Sequence, residues 1–153
     1  MSPRKSEIQK VESMTSLIRF APAAGRLLIA VIFLLSGVSK IADPSMTQGY
    51  IASAGLPLPF VAYMIAVVVE VGGGALLLAG YRTRLAALAL AAFSIAAAFG
   101  FHHDFADQNQ MIHFLKDLAI AGGLLQVVGL GAGPLSLDAR FASAARFASA
   151  RSS

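Results

Sequence analysis

The chain has 153 residues, of which 57% are hydrophobic and only 13% charged, well outside the roughly 45–50% apolar and 25% charged of a soluble domain. Cys and Trp are both absent, which excludes disulfides, thiolate nucleophiles and Cys-ligated zinc or iron–sulfur sites in this chain. The formal charge of +4 is what basic residues flanking apolar spans produce, and no nucleic-acid partner is expected.

Residues 1–21 are polar and mixed in charge, with Ile8, Val11, Thr15 and Ile18 near helical spacing. They read as a cytoplasmic or interfacial segment, an interfacial helix or a frayed tail. The apolar run that follows shows no small-x-small cleavage site, and further spans come after it, so it reads as an uncleaved first span over 22–42. Ser36, Gly37 and Lys40 share one face of it. The connection DPSMTQGYIASAGLPLP is rich in Gly, Pro and Ser, and 46–54 within it predicts a short surface helix stopped by Gly55.

The second span, 57–80, is LPLPFVAYMIAVVVEVGGGALLLAG apart from its leading Leu56, and its one ionisable residue, Glu70, lies near the midplane. A lone charge there costs roughly 2.5 kcal/mol or more on insertion scales. Glu70 must therefore be neutral, paired or facing water. Ala66, Gly73 and Gly74, one turn away, predict that its face looks into a bundle. Gly72, Gly73 and Gly74 do not form GxGxxG after a strand, so the run predicts packing rather than a dinucleotide site.

Arg82 and Arg84 end that span. The third, 84–101, is mostly alanine, which favours close helix packing. A polar loop, HHDFADQNQ, precedes the fourth span, 111–133, in which Gly122 and Gly123 supply a close-approach point. His102, His103 and Asp104 would need a third ligand such as His113 to hold a metal; they read as solvated loop residues, and no metal site is expected. Residues 136–153 form a basic cytoplasmic tail with the repeat RFASAARFASAR, read either as a tail on an anionic membrane surface or as disorder.

With four spans, ten of the twelve basic residues fall on one side, which predicts both termini in the cytoplasm. Arg26, Arg82 and Arg84 are among these topology-setting residues. Lys40 lies ~21 Å and Glu70 ~18 Å from that side at 1.5 Å per residue, so an ion pair within the bundle is geometrically open. His113 and Asp117 form an i, i+4 pair near the outer end of span four. The functional reading is a polar pocket open to the outer side, where Glu70, Lys40, Lys116, His113 and Asp117 meet a small polar or quinone-like molecule. The alternative is an intramembrane ion-pair network that fixes helix register in a non-catalytic scaffold or small transporter.

The order GRLLIAVIFLLSGVSKI, VEVGGGALLLAGYRTR, HFLKDLAIAGGLL and GAGPLSLDAR resembles the DoxX family of small four-helix bacterial membrane proteins. Arg26, Gly37, Lys40, Gly55, Pro57, Glu70, Gly80, Arg84, Lys116 and Gly122-Gly123 match in order, over about 25–140; Asp117 departs from an expected asparagine. The resemblance implies an all-α, integral membrane four-helix bundle in the bacterial inner membrane. It further implies a membrane subunit of an oxidoreductase system, with quinone as the candidate cofactor and the lipid bilayer and a soluble or membrane redox protein as partners. Glu70 is then the proton carrier or counter-ion, and Lys40 and Lys116 are cationic binders.

Overall fold

The computed structural model describes residues 3–151, with side chains described for residues 19–150. All regular structure among them is helical: α1 (Pro3–Ala42), α2 (Pro44–Ser53), α3 (Pro59–Ala79), α4 (Thr83–Phe101), α5 (Gln108–Leu130) and α6 (Leu137–Arg151). Four of these are long and apolar enough to cross a bilayer, over Arg19–Ala42, Pro59–Ala79, Thr83–Phe101 and Gln108–Leu130. The protein is an all-α membrane bundle. Residues 3–21 continue into the first span as one helix with Pro22 inside it; the spacing of Ile8, Val11, Thr15 and Ile18 concerns side chains outside those described.

Helix ends follow local chemistry. Asp43 caps α2 by accepting from the Met46 N–H at 2.9 Å, and Pro44 takes the first helical position, where its missing N–H costs nothing. The Met46 N–H and then the Ser45 hydroxyl hold the Asp43 carboxyl below the usual aspartate range. Gly55 at φ +74° turns the chain out of α2, and Asp107 caps α5 through the Asn109 N–H at 2.8 Å.

The four spans close on small residues. Ala87, Ala91 and Ala98 of α4 and Ala121 of α5 are buried, and the larger core side chains Phe33, Leu77, Leu90 and Leu124 fill the space between them. Leu28, Leu35, Val68, Leu85 and Leu130 point outward and are exposed. In water each would forgo roughly 1.5–3 kcal/mol of burial; in hydrocarbon they are solvated. The alanines of α4 thus fit the interior, while its Leu85, Leu88 and Phe99 face lipid.

At one end of the bundle the chain is knotted by residues far apart in sequence. Asp138, in the first turn of α6, accepts from the N–H groups of Arg82 at 2.8 Å and Thr83 at 3.0 Å, and its own N–H donates to the Gly80 carbonyl at 2.8 Å. A carboxylate from another helix therefore supplies the N-cap of α4. Burial works against its charge, but the N–H donors of Thr83 and Arg82 prevail and keep Asp138 below the usual aspartate range. A group lowered on folding stabilises fully above its unfolded value and loses that contribution as pH falls through its folded value. Asp138→Ala is expected to cost about 1 kcal/mol, the usual worth of a cap, at neutral pH. In detergent unfolding the gap between variant and wild type should close as pH falls below about 4.

Candidate functional site

Ser36 and Lys40 lie one turn apart on α1, so their side chains reach the same neighbour on α3. That neighbour is Glu70. Lys40 Nζ donates to Glu70 Oε1 at 3.0 Å and lies 2.9 Å from Oε2, and it also donates to Ser36 Oγ at 2.7 Å. The Ser36 hydroxyl in turn donates to Glu70 Oε1 at 3.2 Å. Oε2 is buried and accepts no well-aligned hydrogen bond despite its closeness to the ammonium.

Two backbone features make this contact. The helices meet at Gly37, where a Cβ would lie 2.6 Å from Val71 Cγ2 and 3.2 Å from Glu70 Cβ. Glu70 itself sits in a π-helical turn, Val68–Gly73, inside α3, a widened turn that recurs at functional sites. The adjoining glycines face different partners: a Cβ on Gly73 would meet Leu90 of α4 at 3.0 Å, and one on Gly74 would meet Leu34 of α1 at 3.1 Å. Removing Cβ at both positions lets α3 approach α1 and α4 together.

Beside the pair is a cavity of about 600 Å³. Its existence follows from helix length. Glu70 is level with Gly37, so α1 continues only about 8 Å beyond it to Ala42 while α3 continues about 16 Å to Pro59, at 1.5 Å per residue. The short helix α2 stands over the step, contributing Met46, Thr47, Tyr50 and Ile51 to the lining. Tyr50 stacks on Phe101 of α4, with ring centroids 5.3 Å apart and planes inclined by 10°. Apart from Lys40, Glu70, Ser36 and a second polar group contributed by other elements, the lining is predominantly apolar.

That second group differs from the expected constellation. Asp117 lines the cavity, but Lys116 and His113 do not. Lys116 is exposed on the outside of α5, because consecutive helix residues are rotated by about 100° and Asp117 takes the inward direction. Lys116 thus does not line this cavity and reaches it only through its charge beside Asp117. His113 acts on Asp117 electrostatically without approaching it to ion-pair distance, and its ring stacks on His102 at 5.0 Å between centroids. His102 Nε2 instead lies 4.0 Å from Asp117 Oδ2, and His102 lines the cavity. His102, expected in solvent, is half-buried, whereas His103 and Asp104 are exposed. Among the described residues no three His, Asp or Glu side chains converge as a metal site.

The three arginines separate as well. Arg82 is exposed at the α3–α4 turn with φ +46°, and Arg84 is exposed with its guanidinium beside Gly131 at the end of α5. Arg26 is different: it is 3% exposed and donates to the carbonyls of Pro22 at 3.4 Å, Leu77 at 3.3 Å and Leu135 at 2.6 Å. It fastens α1 to the end of α3 and to the segment leading into α6. The sequence gives no signal for this inward turn except the nearby Gly80, whose φ of +66° and missing Cβ leave room for the guanidinium.

The family model described as DoxX matches residues 21–103, a stretch that contains Lys40, Glu70 and His102 but not Asp117. Inner membrane protein YqjF of Escherichia coli (strain K12) is 37% identical over 116 residues, covering 74% of this chain and 85% of the relative. Inner membrane protein YphA of the same organism is 36% identical over 121 residues, covering 75% and 86%. No solved structure matches the chain.

Proposed function

The chain belongs to the DoxX family and is a multi-pass inner-membrane protein, and from that premise we propose that it is the membrane subunit of an oxidoreductase system that holds a quinone-like molecule beside Glu70. The observation that carries this reading is a buried ion pair forming one polar pole of an otherwise apolar cavity. The volume lies within the roughly 300–1,000 Å³ of small-molecule sites, which combine apolar walls with a few placed polar groups. The flat Tyr50–Phe101 pair suits an aromatic head, and the surrounding Ile and Ala side chains suit an isoprenoid tail.

When bound, a quinone supplies an acceptor of two electrons and two protons. Lys40 would donate a hydrogen bond to a ring oxygen, and Glu70, the counter-ion of the ammonium at rest, would pass on the two protons one at a time, each taken up from water. A partner protein supplies the electrons. Ten of twelve basic residues lie on the Arg26 side, so that side and both termini face the cytoplasm under the positive-inside rule, and the cavity lies toward the opposite face. Ubiquinone-1 titrated into detergent-solubilised protein is expected to bind wild type at least about tenfold more tightly than Glu70→Gln, the worth of one charged hydrogen bond. Equal affinity in both would remove Glu70 from the site.

A second reading has its own observation, the close approach at Gly37. In it the pair only sets the register of α1 against α3, and ubiquinone-1 binds neither protein.

A further inference from the structure

Besides Ser36, Lys40 and Glu70, the cavity lining holds a second set of titratable groups on other elements, not accounted for above. The second is built by His102, the residue immediately after α4, and Asp117 of α5, both in the lining. His102 Nε2 faces Asp117 Oδ2 at 4.0 Å, with side chains 22% and 26% exposed, so the pair is half-withdrawn from solvent at the edge of the polar loop. His113 stacks on the imidazole with planes inclined by 23°, which fixes the ring plane. With Nε2 turned to Asp117, Nδ1 is the nitrogen left for an occupant.

Resting on the cavity being a quinone-type site, we propose that His102 is a ligand-contacting residue, positioned by Asp117 and His113, that donates a hydrogen bond to the second oxygen of a two-oxygen head group when the imidazole is protonated. A ring with oxygens on opposite sides then meets Lys40 at one pole and His102 at the other. Neutral imidazole carries a single N–H and can present Nδ1 without a proton, whereas imidazolium has N–H on both nitrogens, one directed to the Asp117 charge and one to the ligand. Binding is consequently coupled to uptake of one proton by the imidazole, and affinity rises as pH falls. The titratable groups beside His102 are Asp117 and His113; Lys116, on the outside of α5, acts on Asp117, and Lys40 on α1, Glu70 on α3 and Tyr50 on α2 line the same cavity.

The test measures the affinity of ubiquinone-1 for full-length protein in detergent at pH 6, 7 and 8, in wild type, His102→Gln, His113→Gln and Asp117→Asn. Wild-type affinity should rise about tenfold from pH 8 to pH 6. His102→Gln keeps one neutral donor and should bind at the pH 8 wild-type level throughout. Asp117→Asn, which leaves the imidazolium without its counter-charge, should flatten most of the slope, and His113→Gln should preserve it. Binding whose pH slope is absent in wild type, or survives in His102→Gln, or disappears only in His113→Gln, overturns the role of His102 and leaves the Lys40–Glu70 site standing. No binding at any pH overturns both.

Discussion

Arg26→Met is expected to lower stability by roughly 3–5 kcal/mol, because it removes three charge-assisted hydrogen bonds, to the carbonyls of Pro22, Leu77 and Leu135, that join α1 to the end of α3 and to the segment before α6. Met matches the aliphatic stem, so the loss reports the guanidinium rather than packing. The effect should be local as well as global. Arg26 holds the segment at Leu135, next to Ser136 and Asp138, and Asp138 in turn caps α4. Proteolytic cleavage after Arg140 should therefore quicken in the variant. Arg26→Lys retains the charge but lacks the planar fork that serves two separated carbonyls, and should recover less than half of the loss. Unfolding in detergent measures both variants; an Arg26→Met protein as stable as wild type would show that the knot contributes no stability.

The Lys40–Glu70 pair is expected to behave asymmetrically. Lys40→Met leaves Glu70, whose side chain is 5% exposed, buried without a counter-charge, whereas Glu70→Gln leaves Lys40, at 25% exposure, able to extend toward water. Lys40→Met should cost about 3–5 kcal/mol, as when one partner of a buried pair is removed, and Glu70→Gln clearly less. In the double variant no charge is left unpaired, so most of that loss should be recovered, giving a coupling energy of about 2 kcal/mol. Simple additivity of the two losses would mean that the charges do not act as a pair. Ubiquinone-1 adds a second readout: a double variant that folds but no longer binds it assigns the pair to the cavity as well as to register.

The spans and the meeting of Lys40 with Glu70 were legible in the sequence for one reason. An isolated charge in an apolar span has few ways to be stable, and two such charges at matched distance from the basic side have each other. Other features left no such trace. Arg26 stands at the edge of a span, and a charge there looks the same in sequence whether it snorkels outward or turns inward; the direction depends on Gly80 and on the α6 segment, more than fifty residues away. Lys116 and Asp117 are adjacent, so only the rotation of α5 decides which of them enters the cavity. His102 belongs to a loop by composition, and its place in the wall comes from α2 and α5 packing around the end of α4. The π-helical turn at Glu70 is invisible to a 3.6-residue pattern, although the three glycines beside it mark the site. Asp138 carries the ordinary mark of a cap, but its partners lie on another helix rather than its own.

Whether the cavity beside Glu70 holds an amphipathic ring compound in the membrane is open to direct measurement. It is tested most directly by extracting the wild-type protein and the Lys40→Met/Glu70→Gln double variant from native membranes in mild detergent and quantifying quinone carried by each with mass spectrometry. A near-stoichiometric amount of quinone in wild type, falling to the detergent background in the folded double variant, is the predicted result. Background quinone in both, or equal enrichment in both, would contradict it.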